Sequence, residues 1–129
     1  LKAMMYMDRN SQILEWTSES IAIPYKDITD EGRTHRYFPD LSFLSRDLSG
    51  KLVQWLVEIK PDGMAGMPKM TKRKSKETYS EEMRAYLKNV CKWNSAFRYA
   101  RSHGMNFVVW TEKKIIPITE EIRICGQII

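Results

Sequence analysis

The middle of the chain alternates apolar and polar positions in a way typical of β-strands, in which residues two apart share a face. Residues 33–61 predict two strands, the first ending at Asp40 and the second covering residues 52–60. Ser49 and Gly50 supply the turn between them.

Charged residues stand near the end of the second strand, where apolar residues would be expected. One face of this strand is apolar and contains Val53, Trp55, Val57 and Ile59. Glu58 and Lys60 project together from the other face. If the two strands pair, Asp40 comes close to both. Because burying such charges is costly unless they are paired or hold a metal, the pattern predicts a functional site here.

The elements on either side complete an α/β pattern. In chain order they are the end of a helix at residues 1–9, strands at residues 13–16 and 21–25, a turn-rich connection at residues 27–34, a loop at residues 61–77, a helix at residues 78–103 and a strand at residues 106–111. Thr78 and Glu81 fit a capping box that begins the helix, and Gly104 ends it. Residues 113–129 have a weaker pattern, which fits a last strand or a contact surface.

The long helix is predicted to be amphipathic. Its buried stripe contains Met83, Leu87, Val90, Phe97 and Ala100, and a separate basic face contains Arg84, Lys88 and Lys92. Asn94 interrupts the apolar stripe, so we expect its side chain to cap the end of a neighbouring strand.

Composition indicates a single domain. The chain has 129 residues and is 43% hydrophobic, which is enough for a core, so we assign residues 1–129 to one domain with residues 113–129 as a C-terminal extension. We expect no membrane span or signal peptide, because no apolar run reaches about 18 residues and no basic start precedes an apolar segment. Two scattered cysteines favour a reducing compartment.

The positive charge is concentrated in one part of the chain. The net charge is +5, yet residues 60–101 contain 11 Lys or Arg against 4 Asp or Glu. Much of this charge lies in the predicted loop and at the start of the helix, at Lys69, Lys72, Arg73, Lys74 and Lys76. A polyanionic partner, with nucleic acid first, is one interpretation, and a solvated surface is the other. We take these five residues, with Lys88 and Lys92, as candidates for DNA binding by counterion release.

The predicted site has the composition of a metal-dependent phosphodiesterase. Asp40 follows Pro39, and after 17 intervening residues come Glu58, Ile59 and Lys60. The two carboxylates, with the main-chain carbonyl of Ile59, offer hard oxygen ligands to Mg2+ or Mn2+. Lys60 can orient or deprotonate a water, or stabilise charge on the phosphate. The alternative is a Glu58–Lys60 ion pair at a strand edge with Asp40 in a turn.

This spacing is the signature of the PD-(D/E)xK nuclease superfamily. The chain resembles the head-completion nucleases of T-even-type bacteriophages and, more distantly, the endonuclease subunit of heteromeric cut-and-paste transposases. The resemblance covers roughly residues 4–112 and is carried by residues 13–16, 23–25, 36–40, 57–61, 92–96 and 104–112. It implies a restriction-endonuclease-like mixed β-sheet flanked by helices, and Mg2+- or Mn2+-dependent cleavage of DNA by Asp40, Glu58 and Lys60.

The resemblance also implies a biological setting and one departure. It suggests a role in phage head completion, with other head or neck proteins as partners, in the host cytoplasm or the virion. These families usually place a further acidic ligand on the first helix. By spacing from Trp16 that residue would stand immediately before Leu1, and Asp8 is the nearest acidic residue, about two turns later.

Two rival functions remain open on the sequence alone. One is a transposon-end or repair endonuclease of the same fold. The other is a virion protein that binds DNA ends without cutting them. Lys92 likewise has two interpretations, as a phosphate contact near the metal or as an ordinary exposed lysine, and His35 is a candidate for a flanking or DNA contact.

Overall fold

The computed structural model describes residues 13–129. The predicted helix at residues 1–9, including Asp8, lies outside the described residues. The strands are β1 Ile13–Ser18, β2 Ile23–Asp27, β3 Arg33–Tyr37, β4 Leu41–Arg46, β5 Leu52–Ile59, β6 Asn106–Trp110, β7 Ile115–Ile118, β8 Arg123–Ile124 and β9 Gln127–Ile128. The helix α1 covers Lys76–Ser102, and short 3-10 turns occur at Ile28–Asp30 and Asp62–Met64.

Within residues 13–129, the main sheet has five strands in the order β1-β4-β5-β6-β7. In this described part of the sheet β5 and β6 are parallel, and the other neighbouring pairs are antiparallel. A parallel pair needs a crossover connection, which α1 provides between β5 and β6. The result is the predicted mixed α/β architecture of restriction-endonuclease type.

The region around Asp40 forms two separate strands, one on each side of residues 38–40. The strand β3 ends at Tyr37 and pairs with β2 in a separate two-stranded ribbon, while β4 begins at Leu41 and is the strand that pairs with β5. Pro39 between them has no N–H to donate, so a continuous ladder through this point is unfavourable. The prediction that Asp40 ends a strand of the main sheet is therefore wrong, since Asp40 instead immediately precedes β4.

The helix begins slightly earlier than predicted. Ser75 is the N-cap, and its hydroxyl oxygen accepts a hydrogen bond from the Thr78 backbone N–H at 3.1 Å. Thr78 therefore stands in the first turn and is not the capping residue, which corrects the predicted start. The predicted end is confirmed, because α1 finishes at Ser102 and Gly104 adopts a φ of +67°, which favours glycine.

Apolar side chains cover both faces of the main sheet. On one face, α1 and the β2–β3 ribbon pack over β5 and β6, with a core of Ile23, Tyr25, Tyr37, Leu56, Cys91, Trp93, Ala96, Ala100, Phe107 and Val109. On the other face, Leu41, Phe43, Val57 and Val108 form a second cluster. Val90 and Ala100 of the predicted stripe are buried, whereas Met83, Leu87 and Phe97 are partly buried.

The C-terminal residues are tied to the middle of α1 by Asn94. Its fully buried amide donates to the carbonyl oxygens of Ile122 and Ile129 at 3.0 and 3.1 Å, and its Oδ1 accepts from the Ile122 N–H at 2.6 Å. The predicted capping role of Asn94 is thereby confirmed. The strand β7 also extends the main sheet, so part of the segment with the weak pattern is a strand.

Within residues 13–129, no helix has both the length and the apolar character that crossing a membrane requires.

Replacing Asn94 with alanine should lower the free energy of unfolding by roughly 2–4 kcal/mol, because three buried backbone groups lose their partner. Chemical denaturation measures the change. The control is Asn106→Ala at the exposed start of β6, which should cost less than about 0.5 kcal/mol. Equal effects of the two substitutions would show that the Asn94 contacts contribute little.

Candidate active site

Asp40 and Glu58 meet at the end of β5. The strands β4 and β5 are antiparallel and Leu41 pairs with Val57, so the residue before Leu41 lies beside the residue after Val57. The Asp40 Oδ2 atom accepts a hydrogen bond from the Ile59 backbone N–H at 2.7 Å. This bond holds the Asp40 carboxylate against the strand that presents Glu58.

Glu58 is an acidic side chain in the core. It is only 5% exposed and shares its strand face with the fully buried Leu56, on the side covered by α1 and the ribbon. Burial is the main reason that the pKa of Glu58 is raised to about 7, and the hydrogen bond to Asp40 and the charge of Asp40 add to it. Lys60 and Tyr37 act in the opposite direction. Near neutral pH the protonated and the ionised forms of Glu58 are therefore both populated.

Lys60 completes the arrangement. Its Nζ atom lies 3.8 Å from Glu58 Oε2, and its backbone N–H donates to the Trp110 carbonyl oxygen at 2.9 Å, which holds it at the end of the parallel β5–β6 pair. At 3.8 Å the ammonium attracts Glu58 without forming a close hydrogen bond. The structure thus brings Asp40, Glu58 and Lys60 to one place.

Two buried tyrosines of the ribbon, Tyr25 and Tyr37, form a tyrosine wall, and Tyr37 is the one that lies beside Glu58. Tyr25 and Tyr37 are 4% and 5% exposed, and they lie on the inner face of β2 and β3. Burial, followed by the charge of Glu58, raises the pKa of Tyr37. The Tyr37 hydroxyl lies beside Glu58, but it makes no well-formed hydrogen bond within residues 13–129. Sequence analysis missed both tyrosines, although the alternation of buried and exposed residues along Ile23–Asp27 marks Tyr25 as inward-facing.

Lys92 lies beside the same two tyrosines, so it is not on a solvent-exposed face of the helix. Its Nζ atom is 5.7 Å from the ring centroid of Tyr37 and 6.0 Å from that of Tyr25. Burial, followed by the charge of Lys60, lowers the pKa of Lys92, while Glu58 acts in the opposite direction. The prediction that Lys92 is an ordinary exposed lysine is therefore wrong. The long aliphatic stem allows the residue to cross apolar surface and still place its ammonium at the site.

A second polar cluster attaches α1 to the ribbon. Asp27 is 1% exposed, its Oδ1 accepts from the Thr29 N–H and hydroxyl, and Lys88 Nζ lies 3.7 Å from its Oδ2. Burial raises the pKa of Asp27, but the Thr29 hydrogen bonds and the Lys88 charge outweigh it and leave that pKa below the ordinary value. Arg84 donates to the Thr29 carbonyl oxygen at 2.6 Å. Lys88, a candidate DNA contact, is therefore already paired with a buried carboxylate.

His35 belongs to the same cluster. Its Nε2 atom lies 2.7 Å from Asp30 Oδ2. The ring therefore has a partner within the ribbon, and it does not contact Asp40.

The basic loop starts beside the site. The Asp62 N–H donates to Glu112 Oε2 at 2.9 Å, which ties the first residues of the loop to the segment after β6. Its exposed basic side chains, together with the start of α1, are Lys69, Lys72, Arg73 and Lys76. Lys74 differs from them, because its ammonium donates to the Lys69 carbonyl oxygen and pairs with Glu82 at 2.8 Å.

The carboxylate pair suits a divalent cation, but it is not a complete ligand set by itself. Two neighbouring carboxylates, one of them buried, repel each other unless a proton or a cation lies between them. Among residues 13–129, no group of three or more His, Cys, Asp or Glu side chains could hold a metal ion. A further ligand would have to come from the Ile59 carbonyl, from water, from substrate or from beyond the described residues.

The comparisons with known proteins agree with this geometry. Residues 10–112 match the family described as TnsA-like endonuclease N terminal. The head completion nuclease of Enterobacteria phage T4 is 31% identical over 110 residues, which cover 83% of this chain and 70% of that protein. No solved structure matches the chain.

Replacing Glu58 with glutamine should stabilise the metal-free protein above pH 7 by roughly 2–3 kcal/mol, because the amide removes the cost of burying a charge. The folded protein holds the Glu58 proton more tightly than the unfolded chain does. Wild-type stability therefore falls relative to the variant as pH rises from about 4.5 to about 7. Urea denaturation in EDTA at pH 5 and pH 8 measures both values.

The control for this substitution is Glu120→Gln, at an exposed position, which should change stability equally little at both pH values. A Glu58→Gln variant with the same stability relative to wild type at pH 5 and pH 8 would contradict the raised pKa.

Proposed function

The chain belongs to the TnsA-like endonuclease family, and from this membership we propose that it is a divalent-metal-dependent DNA endonuclease acting in phage head completion. The observation that carries the proposal is the meeting of Asp40, Glu58 and Lys60 at the end of β5. The 31% identity to the T4 head completion nuclease supports the biological setting, with other head or neck proteins as possible partners.

Asp40, Glu58 and the main-chain carbonyl of Ile59 are the proposed ligands of Mg2+ or Mn2+. The two carboxylates fit a hard cation, because they are adjacent, and because burial and then the neighbouring Asp40 already raise the pKa of Glu58. When bound, such a cation would polarise the scissile phosphate and lower the pKa of an attacking water. The Ile59 N–H fixes Asp40, so one of the two proposed carboxylate ligands is positioned before any cation arrives.

Lys60 is the proposed partner of the water and the phosphate. It shares a strand face with Glu58, so its ammonium can orient a water and neutralise charge that develops on the phosphate oxygens. In the hydrolysis a water oxygen forms a new bond to phosphorus, and one P–O ester bond breaks. The leaving oxygen takes a proton, which yields one hydroxyl end and one phosphate end.

The exposed basic residues after the site are proposed to follow the DNA backbone. Lys69, Lys72, Arg73 and Lys76 are exposed, and the segment that contains them starts immediately after Lys60. Lys74 and Lys88 are weaker candidates for this role, because each already has a carboxylate partner. Binding of this kind neutralises phosphates without reading bases, so it is expected to depend strongly on salt.

Incubation of plasmid DNA with the protein and Mg2+ or Mn2+ should give cleavage. The variants Asp40→Ala and Lys60→Met should lose at least roughly 100-fold in rate, since each removes a group that acts on the reacting phosphate. Agarose gels followed over time measure the rates. The matched control is Lys51→Met, an exposed lysine at the opposite end of β5, which should cut like wild type.

Cleavage that survives in both Asp40→Ala and Lys60→Met would remove the proposed site. DNA binding without cleavage by the wild-type protein would instead favour a DNA-end-binding protein of the virion.

Replacing Lys69, Lys72 and Arg73 together with alanine should weaken DNA binding and make it less dependent on salt. The slope of log affinity against log salt concentration should become shallower by roughly 2–3, because each lost phosphate contact contributes about 0.9. Fluorescence anisotropy with labelled duplex in Ca2+ measures the slope. Lys51→Ala serves as the control, and an unchanged slope in the triple variant would mean that the DNA lies elsewhere.

A further inference from the structure

We propose that Lys92, held near the rings of Tyr25 and Tyr37, binds the phosphate that is being cleaved, together with Lys60. This role presupposes the nuclease function proposed above, because it assigns a substrate contact within the same site. It makes Lys92 a direct participant at the reacting group, distinct from the exposed lysines that follow the DNA backbone.

Lys60 and Lys92 bring two ammonium groups from two different elements to the neighbourhood of Glu58. Lys60 extends from β5, and Lys92 extends from α1 toward the same carboxylate, Glu58. Both lysines are close enough to Glu58 for its charge to act on them. A phosphate that enters beside Glu58 would therefore meet two cations, which suits a group whose negative charge lies on several oxygens.

The aromatic contacts leave the donors of Lys92 available. A ring face attracts an ammonium through its quadrupole, at 5.7 and 6.0 Å here, without accepting the directed hydrogen bonds that a carboxylate would take. Lys74 and Lys88 each pair with a carboxylate, whereas Lys92 makes no ion pair with any carboxylate of residues 13–129. Lys92 is thus positioned by the fold and still able to donate to a ligand.

The Tyr37 hydroxyl is a second polar group beside Lys92. Tyr37 is only 5% exposed, and its hydroxyl oxygen has no well-formed hydrogen bond within residues 13–129. Leaving a buried hydroxyl unsatisfied is costly. A phosphate oxygen beside Lys92 would offer the Tyr37 O–H a better-aligned acceptor than the Glu58 carboxylate beside it.

The test compares Lys92→Met and Lys92→Arg with Lys26→Met, an exposed lysine next to Tyr25 on β2. Single-turnover cleavage of a labelled duplex with Mg2+ gives the rate at saturating protein, and anisotropy in Ca2+ gives the DNA affinity. We expect Lys92→Met to lower the rate roughly 100-fold or more while DNA affinity changes less than about threefold. Lys92→Arg should recover at least a tenth of the wild-type rate, and Lys26→Met should match wild type.

A measurement without cleavage accompanies the kinetics. The side-chain ammonium resonances of 15N-labelled lysine are followed by NMR while inorganic phosphate is added in EDTA, and the resonance missing from Lys92→Met identifies Lys92. We expect the Lys92 resonance to shift on addition of phosphate and the Lys51 resonance to stay in place. Phosphate also should bind more weakly to Tyr37→Phe, which lacks the second donor.

The outcomes separate this inference from the nuclease function. A wild-type protein that does not cut DNA, but whose Lys92 resonance moves with phosphate, would reject the nuclease function and leave the phosphate site standing. Cleavage at the wild-type rate by Lys92→Met, or a Lys92 resonance that ignores phosphate, would overturn the role of Lys92. If Lys92→Met fails to fold, a Lys92→Arg variant that folds and cuts less than a hundredth as fast as wild type would equally overturn it.

Discussion

The main physical constraint on the candidate site is the repulsion between the carboxylates of Asp40 and Glu58 at the end of β5. Asp40 is held by the Ile59 N–H, and Glu58 is buried next to it, so neither can move away from the other. The antiparallel register of β4 and β5 creates this contact, and the parallel β6 strand holds the far side of β5. Such an arrangement costs stability, and proteins retain it where it serves a function.

The positive charges near the site differ in how they are held. Lys74 and Lys88 have carboxylate partners, and those partners take part of their capacity to bind an anion. Lys92 is held by aromatic rings, and Lys69, Lys72 and Arg73 are exposed. A polyanion approaching this surface would thus meet exposed charges at Lys69, Lys72 and Arg73, and a more buried ammonium at Lys92.

Three consecutive residues of α1, Lys92, Trp93 and Asn94, contact three different regions of the structure. Successive residues of a helix point about 100° apart, so neighbours in sequence reach different surroundings. Lys92 reaches the tyrosine wall, Trp93 is buried in the core, and Asn94 binds the backbone at Ile122 and Ile129. One turn of helix therefore links the site, the core and the C-terminal segment.

The sequence by itself determined the α/β class and the end of the helix at Gly104, and it marked Asp40, Glu58 and Lys60 as the candidate site. These features follow from local signals, namely alternation along a strand, a glycine after a helix, and charges at positions where apolar residues were expected. The roles of the three residues stay predictions, because geometry alone does not test chemistry.

Only the tertiary structure decided which strand pairs with β5 and where the helix lysines point. Because the strand ladder is interrupted at Pro39, β3 pairs with β2 in a separate ribbon. That ribbon covers the helix face that was expected to be exposed to solvent. Lys88 and Lys92 acquired partners far away in sequence, in Asp27 and in the rings of Tyr25 and Tyr37. A local pattern reports the polarity of a side chain, but its surroundings depend on how distant segments pack.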